Sequence, residues 1–284
     1  MKFRAKIAIA IIATLLLGGC VSNQPIKSKS YNFETQKQSV KNDFVDKIVT
    51  LKTRKGIKQR FILIEPKSSS KGIVVLFPGG SGKIGLHKDK DDWKLGNFLV
   101  RTRGVFVDNG YTTVVIDSPS KRKNGMKGGF RTSNKHIKDI SKVVQYLRNK
   151  YPNQKIWLIG TSRGTESVAH LGINLQNKID GVVLTASVTN SMKYKNGTVT
   201  LDMDLEKISV PTLIVSHKND NCKVTPSYQS PDIYNMLNNK IKKELIYVDG
   251  GDEEGNACRG KSHHGFLGIE NNVVNLITDF MDKN

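Results

Sequence analysis

Acidic residues are in short supply in this chain. Among 284 residues, 25 aspartates and glutamates face 45 lysines and arginines, for a formal net charge of +20. The surplus is dispersed as lysines along the whole length, so it suits an anionic surface or simple solubility as readily as nucleic acid. Cysteine is limited to Cys20, Cys222 and Cys258. Two thiols in the body of the chain are too few ligands for a zinc site, and no metal is expected. Long apolar runs are missing too: the longest, Ile7 to Leu17, has about a dozen residues where a spanning helix needs ~20. Internal repeats are absent, and the length suits one large domain with short appendages. Gly82-Lys83 follows an apolar run, yet Phe77 and Ile84 stand where a P-loop has glycine and Ser or Thr. The nucleotide reading fails, and no cofactor is called for.

What is present begins with MKFRAKIAIAIIATLLLGGC, a basic head (Lys2, Arg4, Lys6) before the short apolar core. That is the layout of a signal peptide, expected over residues 1–19. Leu17-Gly18-Gly19-Cys20 resembles the lipobox of bacterial lipoproteins, which implies cleavage before Cys20 and lipidation of its thiol, the palmitate anchor of an exported protein. Such a protein rarely meets nucleic acid, so the positive charge is read as facing anionic headgroups. Neither Val21 nor Ser22 is the aspartate that usually retains lipoproteins at an inner membrane. In a cell with two membranes, the periplasmic face of the outer membrane is the expected location. Residues 20–42 are polar and lysine-rich with one proline and read as the lipidated N-terminus and a flexible tether, with the folded domain over 43–284.

From there the chain alternates strand-like and helix-like segments. Lys47 to Thr53 and Gln59 to Glu65 flank Arg54-Lys55-Gly56, a hairpin signature. Ile73 to Phe77 is a short, wholly apolar run, as expected of a strand buried on both faces. Thr112 to Ile116 reads as another buried strand, and Gly181 to Thr185, Thr212 to Ser216 and Glu244 to Val248 read as further strands. Phe98, Leu99, Val105 and Phe106 fit one helix face, as do Ile137, Ile140, Val144 and Leu147, and then Val273, Val274, Ile277 and Phe280. Ser133 or Asn134 would cap the second of these helices. The expected fold is α/β: a mostly parallel sheet with an antiparallel N-terminal hairpin and helices on both faces. Ligands of such sheets bind at the carboxyl ends of the strands.

The segment KIWLIGTSRGTESVA, Lys155 to Ala169, organises the rest. An apolar run enters Gly160-Thr161-Ser162-Arg163-Gly164 and a helix-compatible stretch follows. This is GxSxG in a strand–turn–helix context, where the turn strains the serine and exposes its oxygen beside a helix N-terminus. Ser162 is therefore a candidate nucleophile, and the Arg163 backbone N–H a candidate oxyanion donor.

With LFPGGSG, DSPS, GTSRG, SHKNDNCKVTP and SHHGFLGIE, the chain resembles α/β-hydrolases from about Asp43 to its end, in particular compact exported forms. The resemblance implies the order nucleophile, acid, histidine. Asp220, after the run Thr212 to Ser216, matches the family's acid. His264, directly before Gly-Phe, matches its histidine, with His263 in reserve. LFPGGSG would be the oxyanion loop, with donors near Gly80 and Ser81. If the acid and histidine loops adjoin, Cys222 and Cys258 sit together, and export favours a disulfide between them. The segment Ser187 to Pro211, where relatives insert a lid, is short, so no sizeable lid is expected. Lys121, Arg122, Lys123, Lys127 and Arg131 crowd the loop after Ile116 and could meet an anionic substrate or a membrane.

The resemblance implies a membrane-anchored serine hydrolase of the esterase type, acting on a small-molecule acyl substrate and requiring no obligate protein partner. Two other readings stay open: a non-catalytic binding lipoprotein on the same scaffold, and a peptidase of the same fold.

Overall fold

The computed structural model describes residues 26–36, 44–127, 129–190 and 198–284. The signal segment, Cys20 and most of the expected tether lie outside the described residues.

The apolar runs become strands because a run without polar alternation can be covered on both faces. In chain order the strands are β1 (Ser28–Phe33), β2 (Lys47–Arg54), β3 (Ile57–Ile64), β4 (Gly72–Phe77), β5 (Tyr111–Ile116), β6 (Ile156–Thr161), β7 (Gly181–Thr185), β8 (Thr212–His217) and β9 (Lys243–Gly250). They form one sheet in the order β1-β9-β8-β7-β6-β4-β5-β3-β2. β2 and β3 make the antiparallel hairpin, and β3 docks antiparallel on β5. Every other pairing is parallel. From β4 to β8 every strand residue is buried.

The helices are α1 (Phe98–Arg101), α2 (Arg103–Asp108), α3 (Asn134–Lys150), α4 (Gly164–Leu175), α5 (Ser230–Met236) and α6 (Glu270–Asp282). Alternate strand residues point to opposite faces, dividing the core in two. Ile73, Val75 and Phe77 pack beneath α3, α4 and α5. Val74 and Leu76 pack beneath α1, α2 and α6. The seven parallel strands share one carboxyl edge, and β6, which leads into Ser162, is central to it.

Two sequence expectations need correction, and one helix has no counterpart among them. Ser28–Phe33, read as tether, is an edge strand paired in parallel with β9. Its polar residues face solvent, while Tyr31 and Phe33 pack against the core. At Gly250 (φ +93°) a Cβ would stand 1.8 Å from the Phe33 carbonyl oxygen, so glycine lets β1 approach. The single helix expected around Phe98 to Phe106 is two, broken at Thr102. There the hydroxyl donates to the Phe98 carbonyl at 2.8 Å, and Arg103 Nη1 donates to that of Val100 at 2.8 Å. The Phe98 carbonyl also accepts the Thr102 N–H at 3.0 Å, so the carbonyl given over to a side chain is that of Val100. α5 has no apolar periodicity to mark it, because SPDIYNM carries only Ile233 as a buried apolar anchor.

Of the expected lid position, residues 191–197 lie outside the description. The described remainder contains two single turns, Thr200–Asp202 and Leu205–Lys207. No helix among the described residues is long and apolar enough to cross a membrane.

Candidate active site

Ser162 sits between β6 and α4 with φ +52°, the left-handed region that L-residues seldom occupy. Such a conformation costs ~1–3 kcal/mol and persists where the surroundings enforce it. Three glycines do so here. A Cβ on Gly160 would stand 2.6 Å from the Gly164 carbonyl oxygen, and one on Gly164 would stand 2.0 Å from that of Phe77. A Cβ on Gly79 would stand 2.9 Å from that of Ser162. Strand, helix and the loop after β4 therefore touch backbone to backbone around the serine. The Ser162 N–H donates to Thr185 at 3.0 Å, and its carbonyl accepts from the Thr165 amide and hydroxyl at 2.9 and 2.7 Å. The Arg163 guanidinium is held by Glu166, with Nε to Oε1 at 2.8 Å, so this arginine's link to the serine is through the backbone.

Asp220 follows β8, and His264 lies in the single turn His263–Gly265. Both are buried, and His264 Nδ1 is 2.9 Å from Asp220 Oδ2. Asp220 Oδ1 accepts the Cys222 N–H at 2.9 Å, and Oδ2 also accepts the Thr225 hydroxyl at 2.9 Å. A carboxylate so surrounded draws the histidine proton to Nδ1, which leaves Nε2 bare to accept a proton. Ser162 and His264 line the same small cavity of about 40 Å³, together with Gly80, Asn97 and Gly260.

Thr225 had no signal in the sequence. It lies five residues beyond Asp220, and only the folded loop shows its hydroxyl 3.0 Å from His264 Nδ1. His263, the reserve candidate, stacks on His217 with ring centroids 4.4 Å apart, and its Nδ1 lies 3.4 Å from Glu253. His217 uses both ring nitrogens. Nδ1 accepts the Asn219 N–H at 3.0 Å, so Nε2 carries the proton toward the Gly250 carbonyl at 2.8 Å. Burial holds its pKa below the ordinary histidine value.

Cys222 and Cys258 are joined in a disulfide across 36 residues of sequence. Cys222 follows the acid by two residues and Cys258 lines the serine's cavity, so the bond ties the acid loop to the histidine loop. Among the described residues, Asp220, Cys222 and His264 form the single cluster of potential metal-ligating atoms. With the sulfur bonded to Cys258 and the other two bonded to each other, this donor set does not suit a metal.

The loop after β4 is held from beneath. Arg131, fully buried, donates from Nη2 to the Pro78 and Gly80 carbonyls at 2.9 and 3.3 Å, and from Nη1 to Ser167 Oγ at 2.9 Å. Burial brings its pKa down to about 10, which leaves it charged at neutral pH. With those carbonyls turned inward, Gly80 (φ +57°) presents its open side to the cavity. The Ser81 carbonyl is taken by the Met126 N–H at 2.8 Å. Beyond it, the Asp117 carboxylate accepts the Ile84 and Leu86 N–H groups at 2.7 and 2.9 Å. Two members of the basic run after Ile116 thus serve the framework. Arg131 supports this loop, and Arg122 lies 4.1 Å over the Phe130 ring.

No curated protein matches the chain by sequence. The family model for the alpha/beta hydrolase fold matches residues 72–208. Among solved structures, an esterase from Pyrococcus furiosus superposes with a TM-score of 0.61 at 14% identity, covering 90% of this chain and 98% of that one. A dienelactone hydrolase from Anabaena variabilis gives 0.59 at 14% identity, over 85% and 99% of the two chains. A serine hydrolase without lid from Xanthomonas campestris gives 0.54 at 12% identity, over 81% and 94%. With its sheet order, its left-handed serine between β6 and α4, and that match over residues 72–208, the chain has the α/β-hydrolase fold.

Proposed function

We propose that the protein is an exported, lipid-anchored serine hydrolase that cleaves carboxylic esters. The observation that carries this reading is the bond from His264 Nδ1 to Asp220 Oδ2 beside a left-handed Ser162 in a shared cavity. His264 Nε2 takes the Ser162 proton as Oγ attacks the acyl carbonyl. Asp220 stabilises the imidazolium and keeps its orientation. Backbone N–H groups of Arg163 and of the Gly80–Ser81 loop receive the oxyanion. Collapse of the tetrahedral adduct expels the alcohol, which takes the proton from His264. Water then repeats the cycle on the acyl-serine, returning the acid and free Ser162. No metal or cofactor enters these steps.

The decisive experiment is fluorophosphonate labelling of the full chain beside Ser162→Ala. Labelling of the wild type alone supports the reading. Absence of labelling in folded, oxidised protein overturns it and leaves a binding protein. The anchor is tested separately: metabolic palmitate should enter the wild type and not Cys20→Ala, and membrane association should fall with it.

A further inference from the structure

A cleft of about 530 Å³ opens beside the serine's cavity and shares Gly80, Asn97, Cys258 and Gly260 with it. Much of its wall is glycine backbone, and its aliphatic side chains are Pro78, Ile84 and Val100 alone. That is little surface on which to bury an acyl chain. Its charged residues are Lys83, Lys94, Arg259 and Lys261 against one carboxylate, Glu254. Among the described residues none of the four cations has a carboxylate within ion-pair distance, and Lys83 Nζ meets only the Lys123 carbonyl, at 3.2 Å. Five arginines packed into the framework are handled differently, while a sixth, Arg131, is spent on two carbonyls and Ser167. Arg54, Arg101, Arg103, Arg148 and Arg163 each hold an aspartate or glutamate.

We propose that this cleft selects esters carrying an anionic group, a carboxylate or a phosphate, which the unpaired cations of the 83–94 and 259–261 loops hold while Ser162 attacks the acyl carbon. This rests on the serine-hydrolase reading above. The physical basis is focusing. Unpaired charges of one sign in a concave site raise the local concentration of the opposite sign, and the gain falls with ionic strength. Glu254 opposes it with one charge against four.

The test compares 4-nitrophenyl acetate with mono-4-nitrophenyl succinate, using the full chain in non-ionic detergent. The expected result is a kcat/KM ratio of roughly tenfold or more in favour of the anionic ester at low salt, shrinking toward one near ~0.5 M salt. Replacing Lys94, Arg259 and Lys261 together by glutamine should bring the ratio toward one at low salt. The control replaces Lys178, Lys240 and Lys242, which are exposed and precede β7 and β9 at the opposite sheet edge, and should keep the ratio. This separates a local effect from the overall charge of the chain. Inhibition by succinate against inorganic phosphate, at fixed ionic strength, decides between carboxylate and phosphate. Equal rates for the two esters with no inhibition by either anion overturn the proposal alone, since Ser162 would still turn over acetate. A preference that survives the triple glutamine variant overturns it as well. Failure of both esters together with absent phosphonate labelling removes the hydrolase reading and this proposal with it.

Discussion

The two sides of the serine are held by different means. On one side, the 78–86 loop is fixed by buried charge: Arg131 grips its carbonyls from below, and Asp117 gathers its N–H groups. On the opposite side, the loops bearing Asp220 and His264 are tied by the Cys222–Cys258 bond and the Thr225 hydroxyl. The first arrangement is built into the core, so it cannot be loosened without disturbing the sheet. The second is a staple between two surface loops, so it can be cut while the sheet stays whole. Damage to either side should therefore leave a distinguishable signature.

The largest effect should come from the acid itself. Asp220→Asn keeps the shape but offers no negative charge to fix the histidine tautomer, and kcat should fall by roughly 10⁴ with little change in KM. A loss of less than about tenfold would mean that His264 is oriented by something else. Next stands Arg131→Met. It strands two backbone carbonyls and Ser167 in the core, and should cost both stability, about 3 kcal/mol, and about 10² in rate as the oxyanion loop shifts. Arg131→Lys, which keeps charge but loses the planar fork, should recover the melting temperature more than the rate. Equal recovery of both would make Arg131 a stability residue only.

Cutting the staple should cost less in rate. The Cys222→Ala, Cys258→Ala double variant loses a bond across 36 residues, about 3–4 kcal/mol by chain entropy, while activity falls only about tenfold. The reduced wild type should behave alike in a thermal melt and a rate assay. A rate loss as deep as that of Asp220→Asn would show that the bond orders the catalytic loops outright. Thr225→Val is smaller still. It removes one of three donors to the Asp220 carboxylate, with an expected loss of several-fold in kcat and about 1 kcal/mol in stability.

Much of this was legible before the fold was known, and the reasons are local. Gly160 and Gly164 are required by backbone approach around Ser162, a constraint written in residue type. The run Ile73 to Phe77 announces a doubly covered strand because burial on both faces permits no polar alternation. Other features depend on partners distant in sequence. Arg131 looks like its neighbours Arg122 and Lys127 until the fold places it under Pro78 and Gly80. β1 is invisible because an edge strand is recruited by the free side of β9, and four polar residues with Tyr31 and Phe33 suffice for that. The unpaired cations of the cleft come from segments nearly 170 residues apart, and no spacing rule joins Lys94 to Arg259 and Lys261.

The two sides should also part company on acidification, where the effect is smallest. His136, on the side of the 78–86 loop, packs edge-on to Phe77 with neither ring nitrogen bonded. Burial and then the Arg131 charge hold its pKa well below the ordinary value. His217, on the other side, is lowered by burial, but its bond to the Gly250 carbonyl opposes the shift. In both cases the unfolded chain binds a proton that the folded chain refuses. Stability is therefore full above pH ~6.5 and declines as pH falls toward each folded pKa, by up to about 1.4 kcal/mol per pH unit per histidine. Because the Gly250 carbonyl favours the proton, His217 should charge first, losing its Nδ1 acceptor role to the Asn219 N–H and loosening the loop that carries Asp220. Hydrogen exchange at pH ~5.5 should then rise in residues 217–225 before it rises in 78–86, while His136→Phe should flatten the melting temperature against pH without altering that order. Exchange rising first in 78–86 would show that the buried-charge side, and not the stapled one, is the weaker half of the site in acid.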